Sequence, residues 1–215
     1  LSLLDAVTLQ YLHLVDLAVL VAKISLVLLA STIVITEGIE MAASLWREEK
    51  RAMRAEIPAA SPMVSIHVPC YNEPAPMVMG TLDALSRLDY ENFEVILLDN
   101  NTPDEATWFP VKAHCEALGA RFRFYHMGDV KGFKAGALNE ALRITDPKAE
   151  YIAVIDSDYQ VEPYWLRRAL PFFASPKIAV VQGPQDYRDA GQSLFKDMCY
   201  EEYRGFFHIG MVERN

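Results

Sequence analysis

Cysteine is scarce in these 215 residues: Cys70, Cys115 and Cys199 are the full set, and no two are spaced as C-x-x-C. An odd number without paired spacing argues against a disulfide framework or a zinc site and points to a reducing compartment. Basic charge is short as well, with a net charge of −9. Polyanion-binding surfaces carry an excess of lysine and arginine, so no nucleic-acid partner is expected. Neither a G-x-x-x-x-G-K-[ST] loop nor a G-x-G-x-x-G turn occurs. That removes the P-loop and disfavours a dinucleotide cofactor. The first residue is Leu1 rather than Met, and the last, Asn215, sits in a polar run. Both ends look excised from something longer.

Apolar residues, in contrast, make up 52% of the chain, and the excess collects in residues 1–46. Residues 17–35 form an apolar run broken by Lys23, close to the roughly 20 residues that a helix needs to span a bilayer core. The run is longer than most core helices and no clean small-residue cleavage site follows it, so a transmembrane helix is expected. Residues 1–14, also apolar, read as the end of an earlier span or as an interfacial helix. Trp46, Arg47, Lys50, Arg51 and Arg54 come next. An aromatic followed by clustered basic residues is the pattern of a cytoplasmic flank. Residues 57–62, IPAASP, read as a linker. The expected organisation is a membrane segment with a juxtamembrane helix over 1–56, and a separate domain over 63–215.

That second domain alternates. Short β-rich runs lie at 64–68, 93–98, 121–126, 151–155 and 177–182, and helical spacing lies between them at 75–88, 104–118, 134–144 and 163–173. Repeated strand–helix alternation predicts an α/β fold, a mostly parallel sheet with helices on both faces. Ligands of such sheets bind at the carboxyl ends of the strands, so the residues just after each run are the candidates for chemistry.

After the fourth run come Asp156, Ser157 and Asp158. In extended chain, carboxylates two apart point the same way. Such a pair needs a counter-charge, and Mg²⁺ or Mn²⁺ supplies it while leaving positions for phosphate oxygens. A turn with a helix cap is the plainer reading of the same residues. After the third run, Lys131 and Lys134 with Gly132 and Gly136 open a helix. A helix start with added cations and close-approach glycines suits a diphosphate, although an ordinary solvated helix start has the same composition. After the first run, Tyr71 can stack on a base, and Asn72 and Glu73 can read its edge or cap a helix. Asp99, after the second run, is a base or ribose contact or a turn residue.

These segments resemble, in order and spacing, the family 2 glycosyltransferases of GT-A fold, and within them the cellulose synthase-like β-glycan synthases of membranes. The resemblance is carried by VPCYNEP at 68–74, LLDNNTPD at 97–104, KGFKAGALN at 131–139, VIDSDY at 154–159 and VVQGPQ at 180–185. CYEEYRGFFHIG at 199–210 is similar to bacterial synthases of β-glucans other than cellulose. The resemblance implies a GT-A domain with a UDP-sugar donor, UDP-glucose first, and a glycan acceptor at the cytoplasmic face of a lipid bilayer. Tyr71 and Glu73 would face uracil or ribose, Asp99 the uracil, and Lys134 the diphosphate. Asp156 and Asp158 would hold Mg²⁺ or Mn²⁺, and transfer would be an inverting displacement at sugar C1. Asn100 departs from the second acid common at its position. The family's ED-containing and QxxRW motifs do not occur, so this stretch alone is expected to bind donor without transferring sugar. Transfer to a lipid such as a polyprenyl phosphate or ceramide, and a non-catalytic nucleotide-sugar-binding module, are the alternatives.

Overall fold

The computed structural model describes residues 3–45 and 61–211. The basic cluster from Trp46 to Arg54, and the linker as far as residue 60, lie outside the described residues. Helix α1 (Leu3–Leu45) runs through both apolar stretches without a break. At 1.5 Å per residue it is about 65 Å long, so residues 3–14 continue the same helix. The segment His13–Ala42 is long and apolar enough to cross a membrane, and none of it is buried inside the protein. Its threonines fit an apolar setting: Thr32 and Thr36 donate their hydroxyls to the carbonyls of Leu28 and Thr32, one turn back, which leaves no unsatisfied O–H.

The chain forms two compact units, one holding α1 and the segment from Gly183 onward, the other ending at Gln182. In the second unit four strands form a parallel sheet in the order β3-β2-β1-β4. They are β1 (Val64–Cys70), β2 (Phe93–Asn100), β3 (Phe122–Met127) and β4 (Tyr151–Val154). Helices α2 (Ala75–Ser86) and α3 (Glu105–Ala117) and helix α4 (Phe133–Ile144) alternate with the strands. β1 and β2 are buried along their whole lengths, as strands covered on both faces must be.

The faces separate by side-chain alternation. Val64, Ile66 and Val68 of β1 and Val95 and Leu97 of β2 pack with Val78, Leu82 and Leu85 of α2 and Val111 and Cys115 of α3. The apolar positions of α2 follow the i, i+4, i+7 stripe of a helix laid on a core. On the opposite face Ile96 and Leu98 meet Ala137 and Ala141 of α4, small residues that let the helix sit close to the sheet. A polar network crosses that face. Glu94 accepts from Ser65 Oγ (2.8 Å) and from the Asp146 N–H (2.8 Å) and pairs with Arg123. His67 Nε2 lies 2.9 Å from Thr145 Oγ1, and burial lowers the His67 pKa despite the opposing pull of Glu94.

Three expectations change. β1 runs through Pro69 to Cys70 instead of stopping at Val68. The His67 carbonyl accepts from the Ile155 N–H, so Pro69, two residues on, faces the same side. The β1–β4 pairing ends at His67–Val154, so the missing proline N–H costs no ladder bond. Residues 163–173 make a short helix α5 (Trp165–Ala169) and then a 3₁₀ turn (Leu170–Ala174), because Pro171 cannot donate to a continuing α-helix. Residues 177–182 form no strand. Val180 is 80% exposed, so this run has neither a ladder partner nor a face to bury. In the first unit, α6 (Leu194–Gly205) is capped by Ser193, whose Oγ accepts from the Lys196 N–H (3.3 Å). A π-helical turn (Phe206–Gly210) follows.

Candidate functional site

Strand order 3-2-1-4 reverses direction at β1, so the crevice of this sheet lies beyond the carboxyl ends of β1 and β4. The alternation brings to that edge the loop after β1 (Tyr71 to Glu73), the end of β2 (Asp99), the start of α4 (Lys134) and the turn after β4 (Asp156 to Asp158).

Lys134 Nζ forms an ion pair with an Asp156 carboxylate oxygen. The pair joins the start of α4 to the end of β4, and both side chains remain partly open to solvent. The two acids do not lie in extended chain. The Tyr159 N–H donates to the Asp156 carbonyl at 3.0 Å, which closes a tight turn over residues 156–159. Ser157 is buried in this turn, and its carbonyl accepts from the Thr81 hydroxyl of α2 at 2.8 Å. Asp158 is exposed, and no described residue pairs with it. Among the described residues no group of three or more His, Cys, Asp or Glu side chains is arranged to hold a metal ion. A cation here would therefore take carboxylate oxygen from Asp156 and Asp158 and complete its shell from water and ligand. Hard-oxygen donors with open positions fit Mg²⁺ or Mn²⁺.

The loop before α4 is held in unusual backbone. Gly132 (φ 92°) and Phe133 (φ 52°) both lie in the left-handed region. Asn101 clamps the loop from β2: its Nδ2 donates to the Val130 carbonyl (2.8 Å) and its Oδ1 accepts from the Val130 N–H (3.0 Å). Asn100 Nδ2 donates to the Phe133 carbonyl at 3.3 Å. A Cβ on Gly136 would lie 1.9 Å from the Lys131 carbonyl oxygen, so only glycine fits there. Lys131 lines an open cleft of about 470 Å³ together with Asp129, Glu140 and Arg143. It makes no bond to Asp156 or Asp158.

Asp99 is 2% exposed. Its Oδ1 accepts from the Thr102 hydroxyl at 2.5 Å and the Cys70 thiol at 3.5 Å, and its Oδ2 from His126 Nδ1 at 2.6 Å. Burial, and then the Asp99 and Glu73 carboxylates, push the Cys70 thiol far above its usual range, so Cys70 stays a neutral donor. Thr102 Oγ1 accepts from the Asn72 N–H at 2.8 Å, which ties the β2 loop to the β1 loop. Tyr71 beside it is 59% exposed, a free aromatic face at the rim, and Glu73 is half-buried. Thr102, His126 and Thr81 join the candidate site without having been singled out in the sequence, whereas Asn101 falls among the candidate residues just after the second run. Thr102 and Asn101 carried a signal, since both lie in the NNTPD turn.

Residues 65–215 match the family described as Glycosyl transferase family 2, and the chain belongs to that family. Its sheet and helices have the GT-A fold of the family. Among its relatives is glucomannan 4-beta-mannosyltransferase 7 of Arabidopsis thaliana, 34% identical over 143 residues, which are 63% of this chain and 25% of that protein. The probable glucomannan 4-beta-mannosyltransferase 9 of Oryza sativa subsp. japonica is 33% identical over 67% of this chain and 28% of its own length. The chain thus spans about a quarter of these relatives. Among solved structures, the mannosyltransferase PcManGT from Pyrobaculum calidifontis, in complex with GDP-Man and Mn²⁺, superposes with a TM-score of 0.55. It is 26% identical and covers 73% of this chain and 47% of its own.

Proposed function

We propose that this chain carries the donor-binding half of a membrane-anchored hexosyltransferase that moves mannose from GDP-mannose onto a growing β-linked glycan. The observation that carries the reading is the ion pair of Lys134 with Asp156 beside the exposed Asp158, at the switch point of the sheet. It sets a lysine and a pair of acids where a sugar diphosphate can sit between them. Asp156 and Asp158 would hold a divalent cation, which would supply Lewis-acid stabilisation to the departing diphosphate. Lys134 transfers its contact from Asp156 to the diphosphate. Tyr71 stacks on the base, Glu73 meets the ribose or base edge, and Asp99 accepts from a ring N–H. The transfer is inverting: an acceptor hydroxyl bonds to C1 as the bond from C1 to the diphosphate breaks, and the hydroxyl proton goes to a base outside this stretch of sequence.

The motif resemblance favoured UDP-glucose. Two glucomannan mannosyltransferases and a neighbour holding GDP-Man favour mannose instead, and they favour a glycan acceptor over a lipid one. The His13–Ala42 segment supports an anchor in the bilayer, and the basic cluster after it supports a catalytic domain on the cytoplasmic side.

Calorimetric titration of GDP-mannose and of UDP-glucose into the chain, with Mn²⁺ and again with EDTA, tests the reading. Metal-dependent binding that is tighter for GDP-mannose is the expected result. Tighter UDP-glucose binding overturns the donor assignment, and binding that ignores EDTA overturns the role of the two acids.

A further inference from the structure

A chain of contacts crosses the carboxyl edge of the sheet from α3 to the β1 loop. The Trp108 ring of α3 stacks on His126 at the end of β3, with centroids 4.5 Å apart and planes 19° apart. His126 Nδ1 lies 2.6 Å from Asp99 Oδ2. A carboxylate only accepts, so Nδ1 carries the proton. Asp99 Oδ1 accepts from the Thr102 hydroxyl, and Thr102 accepts in turn from the Asn72 N–H. Asn72 sits in the left-handed region, φ 51°, between Tyr71 and Glu73. The donors converge on Asp99: the Asn72 and Thr102 bonds run toward its Oδ1 from one side, where each polarises the next, and the His126 N–H meets its Oδ2 from the other.

We propose that His126, held flat by Trp108, is a positioning residue for the base-reading end of the donor site. It orients the Asp99 carboxylate and, through Thr102, the backbone that carries Tyr71. Asp99 is buried and its Oδ1 already takes two donors, so the direction of Oδ2 is set by His126 alone among the described residues. The ring stack supplies what a bare hydrogen bond lacks, a fixed plane for the donor. The phosphate end, built from Lys134, Asp156 and Asp158, makes no contact with this series. The inference rests on Asp99 and Tyr71 meeting the nucleobase.

The test compares the full chain with His126→Phe, His126→Asn and Thr102→Val. Each is titrated by calorimetry with GDP in the presence of Mn²⁺ and, separately, with Mn²⁺-pyrophosphate, which has no base. His126→Phe keeps the stack and removes the N–H, and it should weaken GDP roughly tenfold, the scale of a hydrogen bond to a charged group. Pyrophosphate affinity should hold. His126→Asn places an amide N–H near the Nδ1 position and should recover most of the loss. Thr102→Val, nearly isosteric, should repeat the base-only loss if His126→Phe fails to fold. Unchanged GDP affinity in His126→Phe or Thr102→Val overturns the inference, as does an equal loss of GDP and pyrophosphate. Failure of the unaltered chain to bind GDP or UDP while it binds pyrophosphate strikes at the donor reading itself.

Discussion

Replacing Gly136 by alanine puts a methyl group 1.9 Å from the Lys131 carbonyl oxygen, 2.9 Å from its carbonyl carbon and 3.1 Å from Val130 Cγ1. The first two atoms are backbone and cannot swing aside as a side-chain tip would. Opening the shortest contact from 1.9 to even 3.0 Å moves the loop by about 1.1 Å. That loop is pinned by the two-way Asn101–Val130 bonds and by the Gly136 N–H to Gly132 carbonyl bond at 3.0 Å, so the strain has nowhere to dissipate. Overpacking of this kind costs about 2 kcal/mol, which for a unit of this size lowers the melting temperature by roughly 5–10 °C. Displacement of Lys134 should also weaken Mn²⁺-GDP binding by about tenfold or more, given the sensitivity of positioned groups to ångström shifts. The assay is a circular-dichroism melt paired with calorimetry. Gly128→Ala, where the added Cβ meets nothing within 4 Å, is the matched control. If Gly136→Ala melts with its control and binds GDP as tightly, the close approach of Lys131 to α4 is wrong.

Three further outcomes follow from the geometry. Lys134→Ala should weaken GDP more than guanosine, because the lysine stands among the acids rather than the base contacts; equal losses in calorimetry refute the phosphate role. Asp158→Asn should lower the response of GDP affinity to Mn²⁺ while leaving the melting temperature nearly unchanged, since no described residue pairs with this exposed side chain; an unaltered Mn²⁺ titration refutes it. Stability should fall as pH drops below His67's ordinary value of 6.5. The folded pKa is lowered, so between the two values the unfolded chain takes up a proton that the folded chain refuses, and stability is lost toward acid. Urea melts from pH 7.5 to 5.5 should show this slope and His67→Gln should flatten it; the same slope in both refutes the assignment.

Much of the sheet was legible because strand and helix have different apolar periods, and α2, with Val78, Leu82 and Leu85 on one face, is clear in sequence alone. The ends were less so. Asp99 and Asn100 read as turn residues, yet they extend β2 because β3 offers His126 and Met127 as partners, and pairing between distant strands leaves no local mark. The run at 177–182 failed for the converse reason: its composition suits a strand, but a strand also needs a neighbour. At the site, the kinds of residue were legible and their coupling was not. A sequence shows Asp99 but not that Cys70, Thr102 and His126 surround it. Spacing alone puts the acids at 156 and 158 in extended chain, while the Tyr159 N–H to Asp156 carbonyl bond closes them into a turn that the Thr81 hydroxyl ties to α2. The stack of Trp108 on His126 joins residues on separate elements, so no spacing rule announces it.

The place of β1 in the sheet bears on how the molecule is made. Val64 pairs with Phe93 on one side and with Tyr151 on the other, so one flank of β1 closes early in synthesis and the other late. At roughly 5–20 residues per second a ribosome needs several seconds to travel from one partner to the next. During that interval β1, β2 and β3 can assemble the part of the edge that carries Asp99, Thr102 and His126, while β1 presents an open strand edge to its surroundings. The acids at 156 and 158 emerge only afterwards, directly behind the strand that covers that edge. The nascent chain can therefore assemble this edge of the sheet in two instalments, with the two acids arriving directly after the strand that seals the exposed flank.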